Sequence, residues 1–316
     1  MTASSKGNRG FRLNGDAVLK SVVGAAAVGI IALLVGLGIE LAYGSSLSLS
    51  TFGLSFVTGS TWAPIDNIYN ALPFLVGTLV TSGIGLLLGL PLGLGIAIFL
   101  SERKGSRALV TAMGSLVELL AAVPSVIYGL WGLLVLVPFM RDYVEPTLKG
   151  TVGFLPIFSG TPLGTDLLTA GVILAIMIIP TISAVSRDVL NAVPNSQREA
   201  MYSLGATDWE VVRKAVLPYA RSGIFGATIL GLGRAVGETM AVTFVIGNST
   251  NFPSSLLSPG YSLTSLIVNL LGTTTDPLAD SALVEISLLL FLLALTINFL
   301  ARGLVWRMTR GTKFRI

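Results

Sequence analysis

Two oppositely charged residues stand in an otherwise apolar part of the sequence. Arg234 and Glu238 belong to the stretch GLGRAVGETMAV at 231–242, inside a run at 222–247 that is long enough to cross a bilayer. A charged side chain at the bilayer centre costs roughly 2.5–3.5 kcal/mol on insertion scales, so such a residue is a candidate functional residue. The planar guanidinium of arginine can donate two parallel hydrogen bonds to an oxyanion. Arg234 and Glu238 are therefore candidates for the pathway of an anion.

Two interpretations of this pair remain open. Residues four apart share one face of a helix, so Arg234 and Glu238 could form an ion pair that neutralises itself inside a bundle. In this pair the arginine precedes the glutamate, which is the less favourable order, because a helix favours the acid on the N-terminal side of the base. Alternatively, Glu238 restrains the arginine so that a bound anion can leave again. Most residues that share the face of Arg234 are glycine or alanine, which fits the wall of a pathway or a close helix contact.

Two further polar residues are assigned either to the pathway or to helix packing. Glu118 is another deep acid, ahead of Pro124, and we expect it to pair with Arg234 or with a partner subunit. Helix packing is the favoured role for this acid. Thr239 follows Glu238 directly, and it too could belong to the pathway or to helix packing.

The residue types that are missing exclude several chemistries. The chain has no cysteine and no histidine, which removes disulfides, thiol nucleophiles, Cys/His metal sites and imidazole catalysis. No lysine lies in a G-x-x-x-x-G-K-[ST] context, so the sequence has no P-loop. We assign no metal site and no cofactor, and we expect another subunit to supply any ATP hydrolysis.

The composition is typical of a helical membrane protein. Of 316 residues, 53% are hydrophobic and 11% are charged, against about 25% charged in soluble domains. Apolar runs of about 20 residues recur, and each can cross the hydrocarbon once. The sequence predicts an all-α integral membrane protein with six spans, at 21–43, 71–100, 111–139, 167–187, 219–247 and 281–301.

Lysine and arginine residues alternate between the two sides of these spans. The termini and the loops after the second and fourth spans hold 17 of the 20, the other loops hold two, and Arg234 is the last. By the positive-inside rule both termini are cytoplasmic. The outside loops at 44–70, 140–166 and 248–280 are long and polar. They could form a docking surface for an external partner or be solvated connectors.

The cytoplasmic loop at 194–218 carries a second motif. Its sequence predicts two short helices joined at Gly205, a residue type that commonly ends helices, before Pro218 opens the fifth span. Glu199 is interpreted as a cap of the first helix. Ala200, Met201 and Leu204 form an apolar stripe spaced to lie in a groove on a partner. Taken alone, the segment could also be a plain connector.

This loop resembles the E-A-A-x3-G-x9-I-x-L-P motif of binding-protein-dependent ABC importer permeases. The matching positions are Glu199, Ala200, Met201, Gly205, Ala215, Leu217 and Pro218. Met201 replaces the second alanine of the motif and Ala215 replaces isoleucine, and neither change removes the helix, the turn or the proline. The resemblance implies that the first helix docks into a cleft of the ATP-hydrolysing subunit and transmits its closure to the membrane.

Three stretches extend the resemblance to PstC-type permeases of phosphate-specific importers. They are ELLAAVPSVIYGLWGL at 118–133, REAMYSLGATDWEVVRKAVLPYARSGIFG at 198–226 and GLGRAVGETMAV at 231–242. The likeness implies a type I ABC importer permease fold and a role in phosphate uptake without catalysis. It further implies a PstA-type permease as heterodimer partner, two PstB-type ATPase subunits, a PstS-type phosphate-binding protein outside, and the bacterial inner membrane as location.

The resemblance divides the chain into four parts. They are a basic cytoplasmic leader at 1–20, expected to be disordered, a first span with its outside loop at 21–70, an ABC importer transmembrane domain at 71–301, and a basic tail at 302–316.

One alternative function is a permease of the same family for another oxyanion, such as molybdate or sulfate. Another is an ion-coupled secondary transporter with Glu238 and Glu118 as relay groups. The loop at 194–218, called the coupling loop from here on, and the lack of an internal repeat disfavour the secondary transporter.

Overall fold

The structure is a computed structural model, and it describes residues 15–102, 106–273 and 276–310. Within them the chain is largely helical. The α-helices are α1 (Gly15–Gly44), α2 (Ser46–Phe52), α3 (Ser55–Thr58), α4 (Leu72–Ser101), α5 (Arg107–Ala122), α6 (Ser125–Trp131), α7 (Val137–Phe139), α8 (Glu145–Val152), α9 (Leu167–Asn191), α10 (Asn195–Ser203), α11 (Asp208–Val211), α12 (Leu217–Gly237), α13 (Met240–Val245), α14 (Leu263–Leu270) and α15 (Pro277–Arg310). π-Helical turns lie at Gly132–Leu136, Met140–Val144 and Val212–Val216, and 3-10 turns at Pro64–Asp66 and Pro156–Phe158.

The predicted termini fall partly outside this description. Residues 1–14 of the leader and 311–316 of the tail lie outside the described residues, as do Arg103 and Lys104 of the loop after the second span. The leader was predicted to end at residue 20, but α1 already begins at Gly15.

The predicted number of spans is confirmed for the described part of the chain. Six of its helical runs are long and apolar enough to cross a membrane: Val18–Gly44, Leu72–Ser101, Ser125–Val152, Leu167–Asn191, Asp208–Gly237 and Pro277–Arg307.

The predicted third span at 111–139 is wrong, because the chain breaks at Pro124. Helix α5 ends at Ala122, and Val123 takes an extended conformation with φ −69° and ψ 126°. The residue before a proline avoids the helical region, since the proline ring clashes with it. The span begins after the break and runs from Ser125 to Val152. Glu118 therefore lies on the separate helix α5.

Helices α4 and α9 form the centre of the bundle through a glycine stripe. Gly85, Gly89 and Gly93 repeat every four residues on α4, opposite Leu174, Ile178 and Ile182, which repeat at the same spacing on α9. A Cβ atom at Gly89 would lie 2.7 Å from Ile178 Cγ1, so only glycine permits this approach. Small residues at every fourth position are a common device for packing membrane helices.

Helix α12 also packs closely against α9 through glycines. A Cβ atom at Gly231 would lie 2.8 Å from Ile182 Cγ1, and one at Gly223 would lie 2.3 Å from Val189 Cγ1. The predicted second helix of the cytoplasmic loop is not separate, because α11 continues through a π-helical turn into α12. Pro218 lies inside this continuous run and does not open it.

Two buried carboxyl groups join α8 to the start of α9. Glu145 and Asp166 both have no exposed surface. Glu145 Oε2 accepts from the backbone N of Gly164 at 3.1 Å, and Asp166 Oδ1 caps α9 by accepting from Thr169 N at 2.8 Å. Burial raises the pKa of Asp166 to about 7, and the neighbouring Glu145 carboxylate adds to the effect.

The stability of this junction should depend on pH. A carboxyl whose pKa is higher in the folded protein binds its proton more tightly there, so its contribution is full below about pH 4 and is lost as the pH rises through about 7. We expect the midpoint of thermal unfolding in detergent to fall across that window. Asp166→Asn should flatten the dependence, because asparagine also caps helices and stays neutral. Asp142→Asn, at a partly exposed acid, is the control. An unchanged pH dependence in Asp166→Asn would contradict the assignment.

Candidate functional site

Arg234 lies in the last turn of α12 with an exposed side chain. Its Nη1 donates to Thr181 Oγ1 of α9 at 3.3 Å. The ion pairs found among the described residues are Arg141–Asp142, Glu102–Arg198 and Glu210–Lys214, so no described carboxylate neutralises Arg234. Most of the donor capacity of the guanidinium is therefore free for a ligand.

Of the two interpretations left open for Arg234 and Glu238, the helical ion pair does not form among the described residues. Helix α12 ends at Gly237, and Glu238 takes an extended conformation with φ −71° and ψ 130°. The i,i+4 relationship requires helix through both residues, and here the helix stops between them. Glu238 Oε1 instead accepts from the backbone N of Ala241 at 3.2 Å, at the start of α13.

The break between α12 and α13 is held by hydroxyl groups. Thr264 of α14 donates its Oγ1 to the backbone carbonyl of Glu238 at 2.8 Å. Thr239 Oγ1 donates to Gly237 O at 3.3 Å, and Thr243 Oγ1 donates to Thr239 O at 2.7 Å. Thr239 therefore supports the break. Broken helices that place backbone groups inside the bundle are common at the binding sites of transporters.

The small residues of α12 near Arg234 fall into two groups. Ala227 and Gly231 are buried against the bundle, and Gly231 packs on α9. In contrast, a Cβ atom at Gly233 or Gly237 would meet no described atom within 4 Å. These two glycines line an apolar groove of about 440 Å³ between α1, α12 and α15.

Glu118 does not pair with Arg234. The structure places Glu118 on α5 in a polar cavity that it shares with Arg187 of α9. The described part of the chain shows no ion pair between Glu118 and Arg234. The alternative of a pair with Arg234 fails because the break at Pro124 puts α5 outside the third span. Pairing with a partner subunit and the favoured role in helix packing stay predictions.

The predicted turn at Gly205 is confirmed. Helix α10 ends at Ser203, and Gly205 has φ +78°, in the left-handed region. Gly205 N donates to Tyr202 O at 2.9 Å and Ala206 N to Met201 O at 3.1 Å, which is the hydrogen-bond pattern of a Schellman motif.

The predicted apolar stripe of α10 is only partly available to a partner. Ala200 is exposed and Leu204 has 83% of its surface exposed. Met201 instead packs inward against the cluster around Leu190, Val193 and Val211. Glu199 is exposed, and its backbone carbonyl accepts from Ser203 Oγ at 2.9 Å. An exposed surface on α10 therefore includes Glu199, Ala200 and Leu204.

Arg198 fastens α10 to two membrane helices. Its Nη1 donates to Val193 O at 2.7 Å, and its Nη2 donates to Leu190 O at 3.0 Å and to Glu102 Oε1 at 3.1 Å. The pair is largely buried, with side-chain exposures of 15% for Arg198 and 8% for Glu102. Sequence reasoning counted Arg198 only as a cytoplasmic charge. Its position directly before Glu199 carried no signal of a contact 96 residues away.

Comparison with known proteins gives one family. The model of the family described as "Binding-protein-dependent transport system inner membrane component" matches residues 89–310. The phosphate transport system permease protein PstC of Mesorhizobium japonicum is 44% identical over 94% of this chain and 92% of its own length. That of Pasteurella multocida is 46% identical over 90% and 89%, and PstC 1 of Mycobacterium tuberculosis is 38% identical over 83% and 79%.

Solved structures show the same fold. A chain of a bacterial alginate ABC transporter, solved with an alginate pentasaccharide-bound periplasmic protein, matches with a TM-score of 0.60 at 18% identity, over 94% of this chain and 98% of that one. A chain of an inward-facing MetNI methionine ABC transporter matches with a TM-score of 0.52 at 21% identity, over 75% and 93%. The expected fold of ABC importer permeases is therefore confirmed.

Proposed function

We propose that this chain, which belongs to the family of binding-protein-dependent transport system inner membrane components, forms half of the translocation pathway of an ATP-driven phosphate importer. It is a multi-pass membrane protein. The names of its relatives support phosphate as the substrate. The permease itself is not a catalyst, and a partner subunit hydrolyses ATP.

The observation that carries the proposal is the free guanidinium of Arg234. It lies in the last turn of α12, before the break to α13, hydrogen-bonded to one threonine hydroxyl and unpaired with any described carboxylate. An oxyanion that reaches it can accept two parallel hydrogen bonds and neutralise the charge. Thr181 accepts a hydrogen bond from the side chain, and Glu238 lies directly after the end of the same helix. Such a site attracts an anion without becoming a deep trap.

We base the proposed assembly on the family. We place a second permease of the PstA type beside this chain as a heterodimer, two ATPase subunits of the PstB type inside, and a phosphate-binding protein of the PstS type outside. The exposed surface of α10 supports a docking role for Glu199, Ala200 and Leu204. The contacts of Arg198 with Glu102 and with the carbonyls of Val193 and Leu190 connect α10 to the ends of α4 and α9. Movement of the ATPase cleft would thus reach the centre of the bundle.

The orientation of the chain is also a proposal, based on the distribution of Lys and Arg. Single cysteines at Ser60, Ser159 and Ser254, which are exposed in predicted outside loops, should react with an impermeant thiol reagent added outside. A cysteine at Ser203 should react only after the membrane is opened. The chain has no native cysteine, so each signal comes from one site. The reverse pattern of labelling would overturn the orientation and the proposed sides of the partners.

Uptake measurements test the function itself. Cells or proteoliposomes with the complete importer should accumulate radiolabelled phosphate, and accumulation should stop when ATP is depleted but continue when ion gradients are collapsed. Loss of phosphate accumulation when the ion gradients are collapsed would instead indicate an ion-coupled transporter. Excess sulfate or molybdate should compete weakly. Preferred uptake of either anion over phosphate would assign the permease to another oxyanion.

A further inference from the structure

Two polar stripes face each other at one end of α5 and α9. On α5, Thr111, Gly114, Ser115 and Glu118 follow the i, i+3, i+4, i+7 spacing of one helix face. On α9, Arg187 and Asn191 are four residues apart. Together with Leu100 and Val110, both sets line a cavity of about 360 Å³ that is open to the surface, where Thr111, Ser115, Glu118 and Asn191 are exposed.

The cavity offers room and donors together. A water takes about 30 Å³ of liquid volume, so the cavity has space for a small tetrahedral oxyanion with part of its hydration shell. A Cβ atom at Gly114 would lie 3.9 Å from Arg187 Nη1, so α5 passes close to the guanidinium at this residue. The Thr111 and Ser115 hydroxyls and the Asn191 amide can donate hydrogen bonds beside the guanidinium.

Arg187 has no partner among the described residues. None of their carboxylates lies within ion-pair distance of its guanidinium, and it donates no hydrogen bond to them. Arginine is a favoured residue for binding phosphate-like groups, because its donors form a rigid planar fork. An unpaired arginine in a polar cavity is therefore suited to an anion.

The cavity lies between Arg234 and the coupling loop along α9. Arg234 contacts α9 at Thr181, and Arg187 is six residues further on, about 9 Å along the helix axis. Asn191 lines the cavity, while the carbonyl of its neighbour Leu190 accepts a hydrogen bond from Arg198. The same turn of α9 therefore forms the cavity wall and the attachment of α10.

We propose that this cavity is a second binding site for the transported oxyanion, on the cytoplasmic side of Arg234, with Arg187 as the principal anion-binding group. The inference rests on the proposed phosphate transport. Two weak sites in series let an anion move in short steps and leave, whereas one strong site would hold it. Movement of α10 changes the Arg198 contacts at the cavity wall and thereby times the release.

Glu118 makes the site selective for an oxyanion that still carries a proton. Inorganic phosphate near neutral pH retains a hydroxyl group, which can donate to a carboxylate, whereas sulfate has no proton to donate. For sulfate the same carboxylate is only a like charge, which repels it. Glu118 thus assists phosphate and disfavours sulfate in the same cavity.

Protection of a cysteine from labelling tests the binding directly. Val110 is an apolar lining residue, so Val110→Cys adds a reporter without removing a polar group. In the assembled importer, excess inorganic phosphate should slow thiol modification of this cysteine at least about fivefold. Adding Arg187→Gln should remove the protection, and sulfate should protect less than phosphate. Ser203→Cys on α10 is the control and should show no protection.

Uptake by the variants completes the test. Arg187→Gln should lower phosphate uptake about tenfold, Arg187→Lys should restore part of it, and Arg302→Gln, at an exposed basic residue of α15, should leave it unchanged. Glu118→Gln should reduce the preference for phosphate over sulfate.

Equal labelling of Val110→Cys with and without phosphate, in a preparation that does transport phosphate, overturns the second site alone. A preparation with native Val110, Arg187 and Glu118 that transports no phosphate overturns the proposed function instead.

Discussion

Replacement of Arg234 by glutamine should abolish phosphate uptake while the importer still assembles. Each hydrogen bond to a charged group contributes about 1.5–3 kcal/mol, so the loss of two such bonds to the anion should lower uptake at least about a hundredfold. Arg234→Lys should retain only part of the activity, because lysine keeps the charge and loses the fork. The measurement is the rate of radiolabelled phosphate uptake at equal membrane abundance of each variant.

A double variant separates an anion-binding role from a structural one. If Arg234 only compensated Glu238, the joint change of Arg234→Gln and Glu238→Gln would restore uptake, since no unpaired charge would remain. The structure favours the opposite outcome, because Glu238 lies beyond the helix end and accepts its hydrogen bond from Ala241 N. We expect the double variant to stay inactive. Near-normal uptake in it would make Arg234 a structural residue and remove it from the pathway.

Replacement of Gly205 by valine should uncouple ATP hydrolysis from uptake. The φ angle of +78° at Gly205 is unfavourable for a side chain branched at Cβ, at a cost of about 1–2 kcal/mol or more. A Cβ atom there would meet no described atom within 4 Å, so the effect comes from backbone conformation alone. The turn that sets the direction of α10 should become about tenfold less populated, and uptake should fall by a similar factor while ATP hydrolysis persists.

Asparagine supplies the matched control at the same position. Asn tolerates the left-handed region far better than valine does, so Gly205→Asn should keep most of the uptake. Membrane abundance should be equal in the two variants, because the turn lies outside the packed bundle. Normal substrate-stimulated transport by Gly205→Val would count against a coupling role for α10.

The sequence by itself determined the features that depend on residues close together along the chain. Apolar length and low charge predicted six spans, and the fold with its turn at Gly205 agrees. The family also followed from local motifs, such as the run from Glu199 to Gly205. Such features can be predicted because hydrophobic length and turn conformation are set within a few residues of the chain.

Only the tertiary structure decided where helix α12 ends and what the charged residues touch. The end of α12 at Gly237 follows no proline, and the carbonyl that the break exposes at Glu238 is satisfied by Thr264, 26 residues away. Arg234 meets Thr181 across 53 residues, and Arg198 meets Glu102 across 96. A continuous helix is the default in an apolar segment, because it satisfies its own backbone groups. Helix α12 stops where Thr264 of α14 supplies a hydrogen bond to the exposed carbonyl. Unlike the break before Pro124, this position has no local pattern that marks it.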